Sequence, residues 1–415
     1  MFTRTALAFA TLSLLAACQS TPLTATAAAP VAAPATSAAA APPAWQQGRT
    51  PEQASSTLAP VAGKLTVTPA ADIPIANLKL PPGFRAEVWA SGMPGARAMA
   101  RAENGKIYIG TRAIGRVYEL SDNGATRTSR VLIDKLVQPA GVAYANGSLY
   151  VMAIDKVLRF DGIATNPNAQ PVDMTAAFKL PKEQHHNWKY IAFGPEGKLY
   201  VPFGAPCNVC EPGQEYAQIR RYNADGSGME VIARGVRNTQ GFAWHPQTQE
   251  MWFTDHGRDW MGDDGPADEL NRMTKVGLNY GFPYCHAQGI NDRDFPRVNG
   301  CDGVTLPVQT LGPHAAAMGV HFYTGAMFPA EFKNTMLVAR KGSWNRTQKF
   351  GYDVVMVQTD AQGNNPRVRP FMTGFLDSSN DTFSGRPTYF LQLPDGSLLI
   401  SDEQLGAIYR VSYAK

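Results

Sequence analysis

Hydrophobic and polar residues alternate in short stretches along most of the chain, and each stretch follows a tight polar turn. Asn104-Gly105 precedes KIYIGTRAIGRVYEL, and Asn146-Gly147 precedes SLYVMAIDKVLRFD. The same arrangement recurs in four further units, at Glu196-Gly197, Gln249-Glu250, Asn334-Thr335 and Asp395-Gly396. A polar turn, an alternating strand, a short loop and a second strand are the pattern of a β-hairpin. The sequence therefore predicts six repeated hairpin units.

The number and the length of these units predict a six-bladed β-propeller. The first three units recur at about the length of one four-stranded blade, and insertions lengthen the later ones. Little of the chain has helical periodicity, so we expect an all-β fold, with a β-sandwich as the alternative. Propellers often close by pairing a terminal strand with the last blade. We expect residues 84–89 to supply that strand beside the C-terminal hairpin.

A different pattern occupies the N-terminus. Arg4 is the only charged side chain among the first eighteen residues, and residues 6–17 form an apolar stretch too short to span a bilayer comfortably. The stretch ends in Leu15-Ala16-Ala17-Cys18, which resembles the lipobox at which bacterial lipoproteins are cleaved and acylated. We therefore expect residues 1–17 to be a signal peptide and Cys18 to be lipidated. The alternative is an ordinary secretory peptide that contains a cysteine.

The residues after Cys18 predict a tethered periplasmic domain. Gln19 replaces the aspartate that retains many lipoproteins on the inner membrane, so an anchor in the outer membrane is favoured. Residues 18–71 are dominated by Ala, Pro, Thr and Ser, and such a stretch buries too little surface to offset its ordering entropy. We expect a disordered linker there and the propeller domain over residues 72–415. The lipid is the expected contact with the membrane.

The charge of the chain bears on its expected partners, and its cysteines bear on disulfide formation. The formal net charge is +4 and there is no run rich in Lys and Arg, so a nucleic-acid partner is not expected. Four cysteines follow Cys18, and they form two local pairs: Cys207 with Cys210, and Cys285 with Cys301. In an oxidising compartment this spacing predicts two short-loop disulfides. The alternative for the first pair is half of a metal or redox site.

Candidate chemistry is concentrated in loops rich in His, Arg, Lys and Asp at equivalent places in the repeat. These loops are residues 184–189, 236–241, 255–259, 340–342 and 384–387. A propeller gathers loops from every blade around its axis, so residues that are distant in sequence meet there. One such loop alone is more often a solvated surface than a site. Five of them at equivalent places predict a shared polar site.

Several of these motifs resemble the soluble quinoprotein sugar dehydrogenases. The matching stretches are HHNWKYIAFGPEGKLYVPFG, GVRNTQGFAWHP, DHG through DELNRM, GLNYGFPYC, and SGRPTY through LPDGSLLISD. The resemblance extends from residue 78 to the C-terminus, and the L-sorbosone dehydrogenase-like branch is the most similar. The family includes glucose dehydrogenases that use pyrroloquinoline quinone (PQQ). The resemblance implies a six-bladed propeller that binds PQQ and Ca²⁺.

The resemblance also implies roles for individual residues. His186 matches the base that takes the proton from the sugar hydroxyl as hydride leaves the same carbon. Arg237 matches an arginine that stabilises the charge developing on the quinone. The implied cofactor-binding residues are Arg97, His185, Asn238, Lys341 and Arg386. The chain also departs from the family pattern: His185 replaces an aspartate, Thr388 replaces a second arginine, and Arg97 replaces a glutamine.

The implied calcium site combines backbone and side-chain oxygens, the hard ligands that calcium prefers. Gly257 and Arg258 match a Gly-Pro pair that supplies two carbonyls, and Asp268 matches the side-chain ligand. Asp263 and Asp264, in an insertion, are rival ligands.

The expected function is PQQ- and calcium-dependent oxidation of an aldose or related sugar of the glucose or sorbosone type. Electrons would pass to a periplasmic cytochrome or a membrane quinone. One alternative is a calcium-dependent propeller lactonase, which needs a ring of acidic and amide ligands around the ion. The other is a non-catalytic propeller that binds a carbohydrate or a partner.

Overall fold

The computed structural model of the protein describes residues 43–124 and 126–414, and within these ranges the chain forms six four-stranded blades. Strands near the axis connect each blade with the next, so that the blades form a closed ring. The prediction of an all-β, six-bladed propeller is confirmed. The predicted signal peptide and Cys18 lie outside the described residues.

The first three blades take their four strands in chain order, and the third has a long loop, residues 204–217, between its second and third strands. Strand β1 comprises Phe84–Ala90 and precedes the first complete blade. The first blade contains β2 (Ala96–Arg101), β3 (Ile107–Thr111), β4 (Val117–Asp122) and β5 (Arg127–Ile133). The second contains β6 (Gly141–Ala145), β7 (Ser148–Met152), β8 (Val157–Asp161) and β9 (Val172–Asp173). The third contains β10 (Ala192–Phe193), β11 (Leu199–Phe203), β12 (Gln218–Tyr222) and β13 (Glu230–Arg234).

The fourth blade is interrupted by an insertion. It begins with β14 (Thr239–Trp244), β15 (Met251–Asp255) and β16 (Ala267–Met273). The insertion carries β17 (Leu278–Asn279), which pairs with β13, and the hairpin of β18 (Cys285–His286) and β19 (Ile290–Asn291). The blade is completed by β20 (Gln309–Pro313). The fifth blade contains β21 (Ala317–Phe322), β22 (Met336–Arg340), β23 (Asp353–Gln358) and β24 (Arg367–Met372).

The sixth blade joins the two ends of the domain. A small hairpin of β25 (Leu376–Asp377) and β26 (Thr382–Phe383) precedes it. Its strands are β27 (Pro387–Gln392), β28 (Leu398–Asp402) and β29 (Ala407–Tyr413), with β1 as the fourth. Phe84 pairs with Tyr413, and Val88 pairs with Tyr409, in an antiparallel register. The predicted closing strand is therefore confirmed.

Helical structure is confined to single turns in the described residues. The one α-helical turn is α1 (Thr175–Phe178). The 3₁₀ turns are Ala44–Gln46, Pro51–Gln53, Ala70–Asp72, Ile75–Asn77 and Ala330–Phe332. Across the same ranges, no helix has the length and apolar character needed to cross a membrane.

The hydrophobic core lies between neighbouring blades. Ile219 of the third blade and Phe253 of the fourth belong to one cluster of buried side chains, and equivalent clusters lie between other blades. Near the propeller axis, the inner strands of neighbouring blades lie so close together that a side chain would not fit between them. A Cβ on Gly241 would lie 2.4 Å from the Met318 carbonyl oxygen, and one on Gly319 would lie 2.9 Å from that of Thr388. Glycine at these positions lets the inner strands converge.

Residues 43–63, called the N-terminal strap below, differ from the predicted disordered linker. The strap packs on the propeller through direct hydrogen bonds: Asn208 Nδ2 donates to the Gln47 carbonyl at 2.7 Å, and Trp260 Nε1 donates to the Trp45 carbonyl. The sequence prediction is wrong for this part of 18–71 because a few aromatic and amide anchors, rather than a large apolar face, fix the strap. Residues 18–42 lie outside the described ranges.

Candidate active site

The five polar loops predicted from the sequence meet in one cavity of about 360 Å³. Each loop contributes at least one residue to the cavity wall. Of the predicted site residues, eight line it: His185, His186, Arg237, Asn238, Gly257, Asp268, Lys341 and Arg386. The repeat explains this convergence, because loops at equivalent places in successive blades point to the same end of the axis.

The two adjacent histidines are largely enclosed, with ring centroids 3.9 Å apart. His186 is buried and adopts a left-handed backbone with φ of 53°, a conformation that is uncommon for a non-glycine residue. Burial, His185 and Arg237 hold the pKa of His186 well below its usual value. Burial, with Arg237, also lowers the pKa of His185 to about 4. Both imidazoles are therefore neutral at physiological pH, and a neutral imidazole can accept a proton.

Arg237 is buried, and protein acceptors surround its guanidinium. Nε donates to the Asn208 carbonyl at 2.9 Å, and Nη1 donates to the carbonyls of Gly257 at 2.8 Å and His256 at 3.4 Å. Nη2 donates to Asn208 Oδ1 at 2.7 Å and to Asp259 Oδ2 at 2.9 Å. These contacts use its five N–H groups. This arrangement leaves the charge of Arg237, rather than a further N–H donor, available to the cavity.

A buried carboxylate fixes the backbone of the Arg237 loop. Asp255, at the end of β15, accepts hydrogen bonds from the backbone N–H of Arg237 at 2.7 Å and of Asn238 at 2.8 Å. In the sixth blade, Asp402 at the end of β28 accepts the backbone N–H of Arg386 at 3.0 Å. The two carboxylates occupy equivalent positions, so the propeller repeat supplies the same support to two loops of the cavity.

Cations predominate on the side of the cavity formed by the fifth, sixth and first blades. Lys341 Nζ lies 3.4 Å from Glu403 Oε2, and Arg386 donates to the Gly342 carbonyl at 3.0 Å. Arg112 lies over the Trp188 ring and also lines the cavity. Burial, against the opposing effect of Glu403, holds the pKa of Lys341 well below its usual value. The guanidinium groups of Arg97, Arg112 and Arg386 alone outnumber the carboxylate of Glu403, and this excess of positive charge favours an anionic ligand.

Arg97 does not lie in the cavity wall, so its predicted contact with a cofactor is not supported. It is fully buried and forms a salt bridge with Glu403 at 3.1 Å. Arg97 thus holds the carboxylate that faces Lys341. Sequence reasoning missed Arg112 and Glu403. Both follow the second strand of their blade, the same place as the predicted loops 255–259 and 340–342, so the repeat itself was the signal for them.

Two of the three predicted calcium ligands lie in the cavity wall. Asp268 Oδ1 accepts the backbone N–H of Gly257 at 3.1 Å, and Oδ2 accepts that of Ala317 at 2.8 Å. The Gly257 carbonyl accepts from Arg237. Arg258 does not line the cavity, and its buried guanidinium pairs with Asp292. Among the described residues, no group of three or more His, Cys, Asp or Glu side chains is arranged to hold a metal ion.

The rival calcium ligands from the insertion lie elsewhere. Asp263 accepts a hydrogen bond from the backbone N–H of Thr347 at 3.0 Å, and Asp264 pairs with Arg346 at 3.4 Å. Both aspartates border a separate surface depression. They therefore do not contribute to the central cavity.

Both predicted disulfides are present. They join Cys207 to Cys210 and Cys285 to Cys301. Asn208, inside the first disulfide loop, is fully buried, and its Oδ1 accepts from Arg237 Nη2 and from the Asp259 backbone N–H. This cysteine pair therefore forms a disulfide beside the Arg237 loop rather than half of a metal site.

Comparison with known proteins relates the chain to sugar dehydrogenases. The glucose/sorbosone dehydrogenase family model matches residues 173–370. An uncharacterized protein of Borreliella burgdorferi is 32% identical over 365 residues, which cover 84% of this chain and 94% of that protein. The aldose sugar dehydrogenase YliI of Escherichia coli is 28% identical over 196 residues, 45% of each protein. The holo PQQ domain of Coprinopsis cinerea pyranose dehydrogenase is 17% identical, with a TM-score of 0.67, over 81% of this chain and 97% of that one.

Proposed function

The chain belongs to the glucose/sorbosone dehydrogenase family and is an oxidoreductase that acts on sugars, and we propose that it oxidises an aldose or related sugar with PQQ as the hydride acceptor. The single observation that carries the proposal is the cationic side of a cavity that also contains two neutral histidines. Glucose and sorbosone represent the expected substrate type.

The cavity residues fit an anionic cofactor. PQQ carries three carboxylates, and guanidinium and ammonium groups are their natural partners. Lys341, Arg386 and Arg112 would hold these carboxylates, since all three line the cavity, and Glu403 and Asp402 are the carboxyl groups that act on this cluster. When bound, PQQ supplies a two-electron acceptor for hydride from the sugar carbon.

The histidine pair supplies the proton acceptor of the reaction. His186 would take the proton from the sugar hydroxyl, for which its low pKa keeps the imidazole in the basic form. His185 packs against it and fills the position of an orienting side chain. The charge of Arg237, held in place by Asn208 and Asp259, would stabilise negative charge that develops in the cavity during hydride transfer.

We also propose that a calcium ion binds next to the cofactor. The Asp268 carboxylate and the Gly257 carbonyl would be its protein ligands, since both line the cavity and both are hard oxygen donors. Among the described residues, the donors to Asp268 are two backbone N–H groups, one to each carboxyl oxygen, which leaves a further lone pair on each oxygen. The Gly257 carbonyl would have to be shared with, or released by, Arg237.

The alternatives have less support. A calcium-dependent lactonase needs acidic and amide ligands around its ion, whereas cations outnumber the two acidic lining residues, Asp259 and Asp268. Against a non-catalytic propeller stands the convergence of His186, Arg237, Lys341 and Arg386 on one cavity.

The location and the electron acceptor complete the proposal. We place the domain in the periplasm, anchored through a lipid on Cys18 and more plausibly in the outer than in the inner membrane, because Gln19 follows the cysteine. A periplasmic cytochrome or a membrane quinone would accept the electrons. The L-sorbosone dehydrogenase-like branch stays a prediction.

Reconstitution tests the proposal directly. Purified protein loaded with PQQ and Ca²⁺ is expected to reduce an artificial electron acceptor in the presence of an aldose, and omission of PQQ should abolish the signal. Omission of Ca²⁺ alone tests the metal assignment. Absence of PQQ binding at high cofactor concentration would overturn the proposal.

A further inference from the structure

The N-terminal strap contributes to the active-site cavity although it belongs to none of the blades. Trp45 lines the cavity, and so do three consecutive residues further along the strap, Ala59, Pro60 and Val61. A segment that sequence composition assigns to the linker is thus part of the cavity wall.

The strap is held by contacts that leave the Trp45 side chain available to the cavity. The Trp45 carbonyl accepts from Trp260 Nε1 at 2.6 Å, and Gln47 Oε1 accepts from the Asn208 backbone N–H at 3.1 Å. The Arg49 guanidinium lies 4.1 Å from the centroid of the Trp260 ring and 5.2 Å from that of Trp45. Because the Trp45 anchor is its backbone carbonyl, replacing the indole leaves that hydrogen bond in place.

The strap and the propeller together form an aromatic rim above the cations. The Trp45 ring meets Trp344 edge to face, with centroids 5.7 Å apart, and both side chains are only half-buried. Lys341 and Arg386, in contrast, are buried at 8% and 5% exposure. The cavity therefore has a charged, buried floor and an aromatic, more open rim.

These two zones suit two different ligands. The cations suit an anionic cofactor, whereas the apolar C–H face of a sugar ring packs well on aromatic side chains. A cavity of about 360 Å³ lies near the lower end of the roughly 300–1,000 Å³ range of ligand sites, so little room is left above the cofactor.

We propose that the strap forms the outer wall of the sugar subsite, with Trp45 and Trp344 as its aromatic platform and Ala59 to Val61 as a barrier to a second sugar ring. This inference rests on the proposed function for the identity of the ligand. It assigns the preferred substrate class as single-ring aldoses. The strap thus determines specificity without contributing to proton transfer.

Two variants of the holoprotein test the platform and the barrier. In Trp45→Ala, KM for glucose should rise about tenfold with kcat changed less than twofold, whereas Trp45→Phe should stay close to wild type. In a Pro60→Gly, Val61→Gly variant, the ratio of kcat/KM for maltose to that for glucose should rise at least fivefold. Leu65→Ala, on an exposed side chain outside the strap and the cavity, is the matched control.

A binding measurement separates this inference from the proposed function. Calorimetric titration with 1,5-anhydroglucitol, which lacks the anomeric hydroxyl, reports sugar binding without turnover. Weaker binding in Trp45→Ala together with an inactive wild type would overturn the function and retain the subsite. An active wild type with unchanged sugar affinity and KM in Trp45→Ala would overturn the subsite and retain the function. A wild type that binds no sugar would overturn both.

Correct docking of the strap in the variants is checked by proteolysis. Trypsin cleavage after Arg49 should be as slow in Trp45→Ala as in wild type, because the hydrogen bonds at Trp45 and Gln47 and the shorter contact of Arg49 with Trp260 remain. If cleavage accelerates, Val61→Trp decides the question, since added bulk on the wall should weaken 1,5-anhydroglucitol binding while leaving PQQ affinity unchanged. Unchanged sugar binding in Val61→Trp would overturn the inference.

Discussion

At the scale of single residues, the charge balance of the cavity determines which protonation states its side chains adopt. Arg97, Arg112, Lys341 and Arg386 all act on Glu403, and together they hold its pKa well below the usual value. Burial, together with the nearby charge of Arg237, keeps the neighbouring histidines neutral. A cavity of this kind binds anions and contains a base that is ready without prior deprotonation.

The pH dependence of the reaction should report His186. Its folded pKa is depressed, so protonation, which removes the base, requires a pH well below the ordinary histidine value near 6.5. The kcat/KM of the holoprotein should therefore stay level as pH falls from 8 through 6.5 and decline only below that. His186→Ala should lower kcat by about 100-fold or more.

His186→Gln is the control for packing in that experiment, because it keeps a polar side chain of similar reach without a group that titrates. A wild-type profile that falls through pH 6.5, or substantial activity in both variants, would contradict the assignment of His186 as the base.

Asn208 is predicted to be a positioning residue that acts through Arg237. Its side chain accepts from Arg237 and donates to the carbonyls of Gln47 and Asp259, all within 3.1 Å. Asn208→Ala should lower kcat by about tenfold while changing the Kd of PQQ by less than threefold, because the cations that would hold the cofactor lie elsewhere in the cavity. Steady-state kinetics and an absorbance titration with PQQ measure the two effects.

Asn208→Asp separates the acceptor from the donor role of this side chain. It retains the oxygen that accepts from Arg237 but loses the donors to Gln47 and Asp259. Activity between wild type and Asn208→Ala is expected. Wild-type kcat in Asn208→Ala would show that Arg237 needs no such support.

At the scale of structural elements, the parts with a strong periodic signal were predictable. Alternation with a period of two, repeated after polar turns, indicated six blades and the closing strand 84–89. The strap was not predictable, since Ala, Pro, Thr and Ser dominate its surroundings and isolated contacts such as those of Trp45 and Gln47 give no periodicity. Within the site, matched motifs placed His186 and Arg237 in the cavity, whereas the position of Arg97 depended on an ion pair across the fold.

The insertion in the fourth blade should depend on its disulfide. Cys285 and Cys301 are 16 residues apart, and closing a loop of this length stabilises a protein by about 3 kcal/mol in the chain-entropy model. The loop contains Asp292, which pairs with buried Arg258 and His286. A Cys285→Ser, Cys301→Ser variant should therefore lose roughly 2–4 kcal/mol of unfolding free energy.

Denaturant unfolding of this variant and of the wild type measures the effect. A Cys285→Ala, Cys301→Ala variant serves as a second test, because alanine adds no hydroxyl at the buried position of Cys285. An unchanged midpoint and slope in both variants would contradict a stabilising role for this disulfide.

At the scale of the whole molecule, the strap determines where the proposed anchor meets the domain. The strap packs beside the cavity from residue 43 onward, so only about 25 residues separate Cys18 from the active-site face. Covalent geometry limits their span to about 85 Å even when fully extended. An anchor on Cys18 would therefore keep the cavity, and not merely the domain, within that distance of the membrane.

This connection makes the anchor relevant to electron transfer. If a membrane-bound acceptor oxidises the cofactor, release of the domain should lower sugar-dependent respiration in cells, because the acceptor is no longer held nearby. Cys18→Ser, exported in soluble form at wild-type abundance, should respire more slowly on aldose while its purified protein reduces a soluble dye at the wild-type rate. Equal respiration would mean that the acceptor is a diffusible cytochrome and that the lipid serves only to locate the protein.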